Sequence, residues 1–172
     1  DFSAALAGRA RSFALSGQPG RAVTDYTRAL EIDPSDARAL NGRGSAYLDL
    51  QQPDRALEDY AAAIDLNPNY VAAYFNRAIV HKSRGDYDLA IADYTYAMAV
   101  RPGYARAYVN RGLLYQEKGM NDAARADFGA AIASDSTYVT AWFSRAALLS
   151  KIGQLDDAVS DYTAVLALDS NN

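Results

Sequence analysis

The residues best suited to chemistry in this chain are arginines and aspartates set at a fixed interval. Arg9, Arg43, Arg77, Arg111 and Arg145 recur every 34 residues, and Asp25, Asp59, Asp93, Asp127 and Asp161 follow them by 16. A guanidinium is a planar fork of donors that matches the two oxygens of a carboxylate. Five such sets are either structural ion pairs or a basic ladder for an acidic ligand. The structural reading is favoured, because a stacking interface needs the same pair in every copy and a binding site seldom does. Other reactive groups are scarce. Cysteine is absent and His81 is the only histidine, in the repeat slot that holds Tyr47 and Tyr115 elsewhere. A histidine in a packing slot, without a thiol or a paired serine, assembles no nucleophile, and scattered carboxylates lack metal-ligand spacing. The expectation is a protein that is not an enzyme, with no catalytic residue, metal or cofactor.

Net charge sets further bounds. With 17 basic and 21 acidic residues the chain carries −4, which opposes a phosphate backbone and excludes nucleic acid as an expected partner. No apolar run approaches the roughly 20 residues of a membrane span, so membrane insertion is not expected. No leader pattern opens the sequence, which carries no address. A soluble chain is expected, with the cytoplasm the default compartment.

These residues must be held by repeating elements. A period of 34 divides the chain into units 3–36, 37–70, 71–104, 105–138 and 139–172 without a gap. Position 20 of the unit is always alanine, from Ala22 to Ala158. Position 24 is Tyr26, Tyr60, Tyr94, Phe128 and Tyr162, and position 8 is small, as Ala10, Gly44, Ala78, Gly112 and Ala146. A small residue facing a large ring lets two helices cross closely. Apolar positions 4, 8 and 11, then 20, 24 and 27, recur at helical spacing and predict two helices per unit. Gly17, Gly85, Gly119 and Gly153 at position 15 should end the first helix, with Gln51 in that slot of the second unit. Pro19 and Pro53, or Asp88, Asp122 and Asp156, should open the second. Pro34, Pro68 and Pro102 should close it, and Ser136 and Ser170 predict weaker breaks in the last two units.

The pattern of an aromatic residue or Leu at 4, small at 8, aromatic at 11, Ala at 20, aromatic at 24, Ala at 27 and Pro at 32 resembles the tetratricopeptide repeat family over essentially the whole chain. His81 and Leu149 at position 11, and Arg at position 7, depart from it. The resemblance implies an all-α, right-handed superhelical solenoid of five helix-turn-helix hairpins, with the first helix of each unit lining a concave groove. It also implies a protein-protein interaction scaffold that binds a peptide or partner segment there.

Carried onto this sequence, the groove positions give Arg38 and Asn41 in unit 2. They give Phe75, Asn76, Ile79 and Lys82 in unit 3, Arg106, Val109, Asn110 and Leu113 in unit 4, and Phe143 in unit 5. Phe75, Ile79, Val109, Leu113 and Phe143 would form an apolar stripe with polar flanks. Arg11, Arg38, Lys82, Arg106 and Lys151 outweigh Asp49 and Glu117 there, which favours an acidic or C-terminal segment; the plain alternative is that these side chains solvate a concave wall. The carboxylate-gripping scheme of chaperone-adaptor members is matched outright only by Asn76 and by charge at Arg106. Members that hold peptide backbone with Asn at position 6 are matched by Asn76 and Asn110, unless these merely cap or solvate their helices.

Phe2 would fill position 34 of a preceding unit, so the segment reads as part of a longer array. Tyr162, Val165 and Leu166 should be left uncovered, and end-to-end self-association is the rival expectation: an assembly or spacer module. A targeting domain of a larger enzyme is a third.

Overall fold

The fold follows from how each helix is started, stopped and brought against the next. A computed structural model describes residues 2–169. They form ten helices: α1 (Phe2–Leu15), α2 (Pro19–Ile32), α3 (Ala37–Asp49), α4 (Pro53–Leu66), α5 (Val71–Arg84), α6 (Tyr87–Val100), α7 (Ala105–Glu117), α8 (Asn121–Ser134), α9 (Val139–Lys151) and α10 (Leu155–Asp169). Odd-numbered helices are the first of each repeat and even-numbered ones the second. No strand occurs among the described residues. The fold is the expected all-α solenoid of sequential helix pairs. It divides into two compact units between Arg84 and Gly85, the first holding α1–α5 and the second α6–α10.

Each odd helix is stopped by a left-handed residue. Gly17, Gly85, Gly119 and Gly153 have φ between 72° and 84°, and Gln51 adopts φ 59° in the same slot. The backbone closes as a Schellman motif: Gly119 N–H donates to the Gln116 carbonyl at 3.0 Å and Met120 N–H to that of Tyr115 at 2.8 Å. Gln51 and Gln52 reproduce this with Leu48 and Tyr47, both at 2.8 Å. The motif therefore forms without glycine, with the Cβ penalty of the left-handed region left in place. Even helices start on Pro19 and Pro53, whose missing N–H costs nothing in a first turn. Elsewhere they start beside Asp88, Asp122 or Asp156, where a carboxylate meets the positive end of the dipole.

The weaker break expected at Ser136 is not found, since α8 ends at Ser134, the same repeat position as Ile32, Leu66 and Val100. The Asp135 carboxylate accepts from Thr137 N–H at 3.0 Å and from its hydroxyl at 2.7 Å. Asp33 does the same for Ser35, and Asn67 accepts from Asn69 N–H. This side-chain turn replaces the proline as the stop signal. The corresponding expectation at Ser170 lies outside the described residues.

Packing follows the small-against-ring rule. A Cβ on Gly44 would stand 2.8 Å from the Tyr60 ring and one on Gly112 2.7 Å from the Phe128 ring. Tyr60 and Phe128 are fully buried, each a gain of about 2–3 kcal/mol over exposure. In the first unit Tyr60 packs with Tyr47, Ala56 and Val80; in the second Phe128 packs with Val109, Ala124, Ala131 and Leu148. Consecutive helices stack within each unit. Odd helices also touch one another, α1 with α3, α3 with α5, and α7 with α9, so each unit gathers its odd helices along one face.

Candidate functional site: the odd-helix faces and the arginine-aspartate pairs

Four of the repeated Arg and Asp sets fall two in each compact unit, and each closes a two-pronged pair between the two helices of its own repeat. Arg43 Nε and Nη2 donate to Asp59 at 2.8 and 2.7 Å, Arg111 to Asp127 at 2.8 and 2.7 Å, and Arg145 to Asp161 at 2.7 Å through both nitrogens. Arg9 meets Asp25 at 2.5 and 2.8 Å. Arg77 belongs to the first unit and Asp93 to the second. All five aspartates are buried. The Arg9 hydrogen bonds hold the Asp25 carboxyl below the usual carboxylate range; burial opposes them and the Arg9 charge adds to them. Hydrogen bonds donated to the paired aspartates likewise raise Arg43, Arg111 and Arg145, with burial opposing.

The remaining guanidinium nitrogen reaches the preceding repeat, Arg43 Nη1 to Thr27 Oγ1 at 3.3 Å and Arg111 Nη1 to Thr95 Oγ1 at 2.8 Å. Ring faces complete the setting, with Tyr115 5.4 Å from the Arg111 guanidinium and Trp142 5.2 Å from that of Arg145. These forks are already occupied by the protein's own carboxylates. A ligand would have to displace a buried pair to use them.

The odd-helix face of the first unit carries the polar groove residues. Arg11 and Arg38 are exposed, and Asn41, Asn76 and Lys82 are half-buried. Asn76 Nδ2 donates to Asn41 Oδ1 at 3.0 Å, joining α5 to α3. Ser45 Oγ donates to the Asn41 carbonyl at 3.1 Å and lies 3.2 Å from the Tyr60 hydroxyl. Ile79 is exposed beside them. On the second unit's face Arg106 is exposed, Asn110 Nδ2 donates to the Arg106 carbonyl of its own helix at 2.8 Å, and Leu113 is half-buried. Phe143 is 53% exposed and meets the Tyr162 ring edge to face at 5.8 Å.

The apolar stripe is shorter than the sequence pattern suggests. Phe75 is only 4% exposed and Val109 only 2%, so both belong to the interior. Val109 is packed into the cluster around Phe128. Phe143 shares their repeat position but is left open on α9, so Ile79, Phe143 and part of Leu113 remain as apolar surface.

Among the described residues no group of three or more His, Asp or Glu side chains is arranged to hold a metal ion. Among them also, no helix is long and apolar enough to cross a membrane.

In each unit, helices stacked in sequence, with the odd ones gathered on one face and locked to the even ones by a repeated ion pair, define a helical-repeat scaffold. The chain belongs to the tetratricopeptide repeat family, whose model matches residues 7–71, 43–105, 75–119 and 109–172. The family's fold is a non-catalytic scaffold for binding protein and peptide segments. No curated protein matches the sequence significantly. Among solved structures, MamA 41-end from Desulfovibrio magneticus RS-1 is 20% identical with a TM-score of 0.86, covering 100% of this chain and 97% of that one. A thermophilic repeat protein of the same family from Thermus thermophilus, TTC0263, is 25% identical with a TM-score of 0.74, covering 96% and 91%. YrrB, described as having an unusual peptide-binding site, is 18% identical with a TM-score of 0.74, covering 97% and 86%. MamA and YrrB are similar to this chain in fold alone.

Proposed function

We propose that this chain holds an extended, acidic peptide segment of a partner protein against its odd-helix faces. The observation that carries the reading is the Asn41 and Asn76 amide pair. One hydrogen bond joins them, and among the described residues Asn76 Oδ1 and Asn41 Nδ2 make no other. A joined pair of amides that keeps one acceptor and one donor matches the two faces of a single peptide group. Exposed Ile79 supplies apolar contact alongside, and Arg11, Arg38 and Lys82 supply positive charge. On the second unit's own face Asn110 spends its Nδ2 on the Arg106 carbonyl, leaving its Oδ1 to accept from a ligand N–H.

A peptide array probed with the wild type and with an Asn76→Ala, Asn110→Ala variant of equal thermal stability tests the reading. Selection of short peptides by the wild type and their loss in the variant supports it. Equal selection by both proteins, or none by either, refutes it.

Self-association is the second reading, supported by the exposed row Leu155, Val159 and Leu166 on α10. A dimer by sedimentation that Leu166→Glu dissolves supports that reading; a monomer at high concentration ends it.

A further inference from the structure

The first two repeats differ at one buried phenol. Tyr60 and Tyr26 occupy the same repeat position, both with rings in the core. The Tyr60 hydroxyl lies 3.2 Å from Ser45 Oγ. The slot of Ser45 is taken by Arg11 in the first repeat. Tyr26 is 6% exposed, and its hydroxyl is bonded to no protein group among the described residues yet is not one of the fully buried unpaired atoms. The ring is therefore held in the core while the hydroxyl at its tip stays open to an acceptor from outside.

The ring is aimed at a place where a ligand could reach it. A Cβ on Gly42 would lie 2.5 Å from both Cζ and the hydroxyl of Tyr26, so the phenol ends where the side chain of residue 42 would begin. Gly42 fills on α3 the odd-helix slot that Asn76 fills on α5. The same slot on α1 is Gly8, where an added Cβ would meet nothing within 4 Å. Two adjacent odd helices therefore lack a side chain at this slot, and the tip of the Tyr26 phenol occupies the space that a side chain of residue 42 would take. Arg11 on α1 is exposed and its charge acts on the Tyr26 phenol, and Arg38 is exposed four residues before Gly42 on α3. The opposing charge is Asp36, whose carboxylate is engaged by the backbone N–H groups of Arg38 and Ala39 at 2.9 and 3.0 Å.

We propose that Tyr26, Gly42, Arg11 and Arg38 form a subsite that takes an acidic side chain of the bound segment. A carboxylate accepts the phenol proton and meets both guanidinium charges, which a neutral amide cannot do. Burial raises the Tyr26 phenol, with the Arg11 charge opposing and Tyr70 and Asp36 adding, so the hydroxyl stays a donor at neutral pH. The Arg38 charge likewise acts on the neighbouring phenol of Tyr70. This subsite rests on the peptide-binding reading above and names the chemistry of one contact within it.

Labelled hexaglutamate and hexaglutamine peptides test it by fluorescence anisotropy. The proteins are the wild type, Tyr26→Phe, Arg11→Gln and, in the second unit, Arg101→Gln. Phenylalanine already fills this repeat position at Phe128, so Tyr26→Phe removes a hydroxyl and no charge or volume of consequence. Hexaglutamate should bind at least about tenfold tighter than hexaglutamine. Tyr26→Phe and Arg11→Gln should each weaken hexaglutamate about tenfold at unchanged Tm, while Arg101→Gln leaves it within about twofold. Equal binding of the two peptides overturns the subsite, and so does a Tyr26→Phe protein that binds hexaglutamate as the wild type does. If the peptide array still selects sequences lost on Asn76→Ala, the groove stands and only the subsite falls; if no peptide binds by either assay, both fall.

Discussion

Replacing Arg111 by leucine separates a structural role of the repeated ion pair from a ligand-binding one. The substitution removes two hydrogen bonds to Asp127 and one to Thr95, and leaves a carboxylate in a residue only 5% exposed. Stranding a buried charge costs roughly 3–5 kcal/mol, and the Arg111 side chain is 17% exposed, so the lower end applies, about 3 kcal/mol at pH 7. For 172 residues unfolding together that is a Tm drop of roughly 6–12 °C.

Urea unfolding followed by helical circular dichroism at pH 7 reads the deficit directly. A companion Arg111→Leu, Asp127→Leu protein should recover more than half of the loss, because no charge is left stranded. A deficit under about 0.5 kcal/mol at pH 7, or a double variant as unstable as the single one, would refute the reasoning and return the arginines to the role of ligand contacts.

Gln51→Gly should stabilise the chain by about 0.5–1 kcal/mol, the left-handed penalty of roughly 1–2 kcal/mol less the extra backbone entropy that glycine loses on folding. A midpoint at or below wild type in urea would count against it. Tyr60 should give the fold an alkaline limit. Its phenol is pushed up to about 12 by burial, against the Ser45 hydrogen bond, while the unfolded phenol titrates near 10. The folded state keeps a proton that the unfolded chain releases, so stability is full below pH 10 and falls by about 2–3 kcal/mol as pH rises to 12. Tyr60→Phe should flatten that fall; an equal alkaline loss in both proteins would assign it elsewhere.

The period of 34 carried the helix count, the glycine stops and the ring-against-glycine contacts, because each of these is decided within one repeat or between adjacent ones. Exposure was harder to read. Phe75, Val109 and Phe143 share a repeat position, yet the first two are buried and the third is 53% exposed, since burial depends on which other helix lies over the position. A periodic pattern marks the slot and is silent on its cover. The Asx turns at Asp33, Asn67 and Asp135 were visible as an acid or amide one residue before the proline slot, but the proline drew the reading because its stereochemistry is the stronger local rule. The bareness of Tyr26 shows only when it is set beside Tyr60 and Ser45.

The constant interval of the ion pairs bears on how the chain reaches this fold. Each of the four pairs described joins residues 16 apart across one tight turn. Closing so short a loop costs little entropy, and the cost is the same at every hairpin. No single hairpin is therefore the obligatory starting point. Ordering can begin at whichever one forms first and spread to its neighbours, the kinetics of a one-dimensional chain of equivalent nuclei instead of one distant, slow encounter.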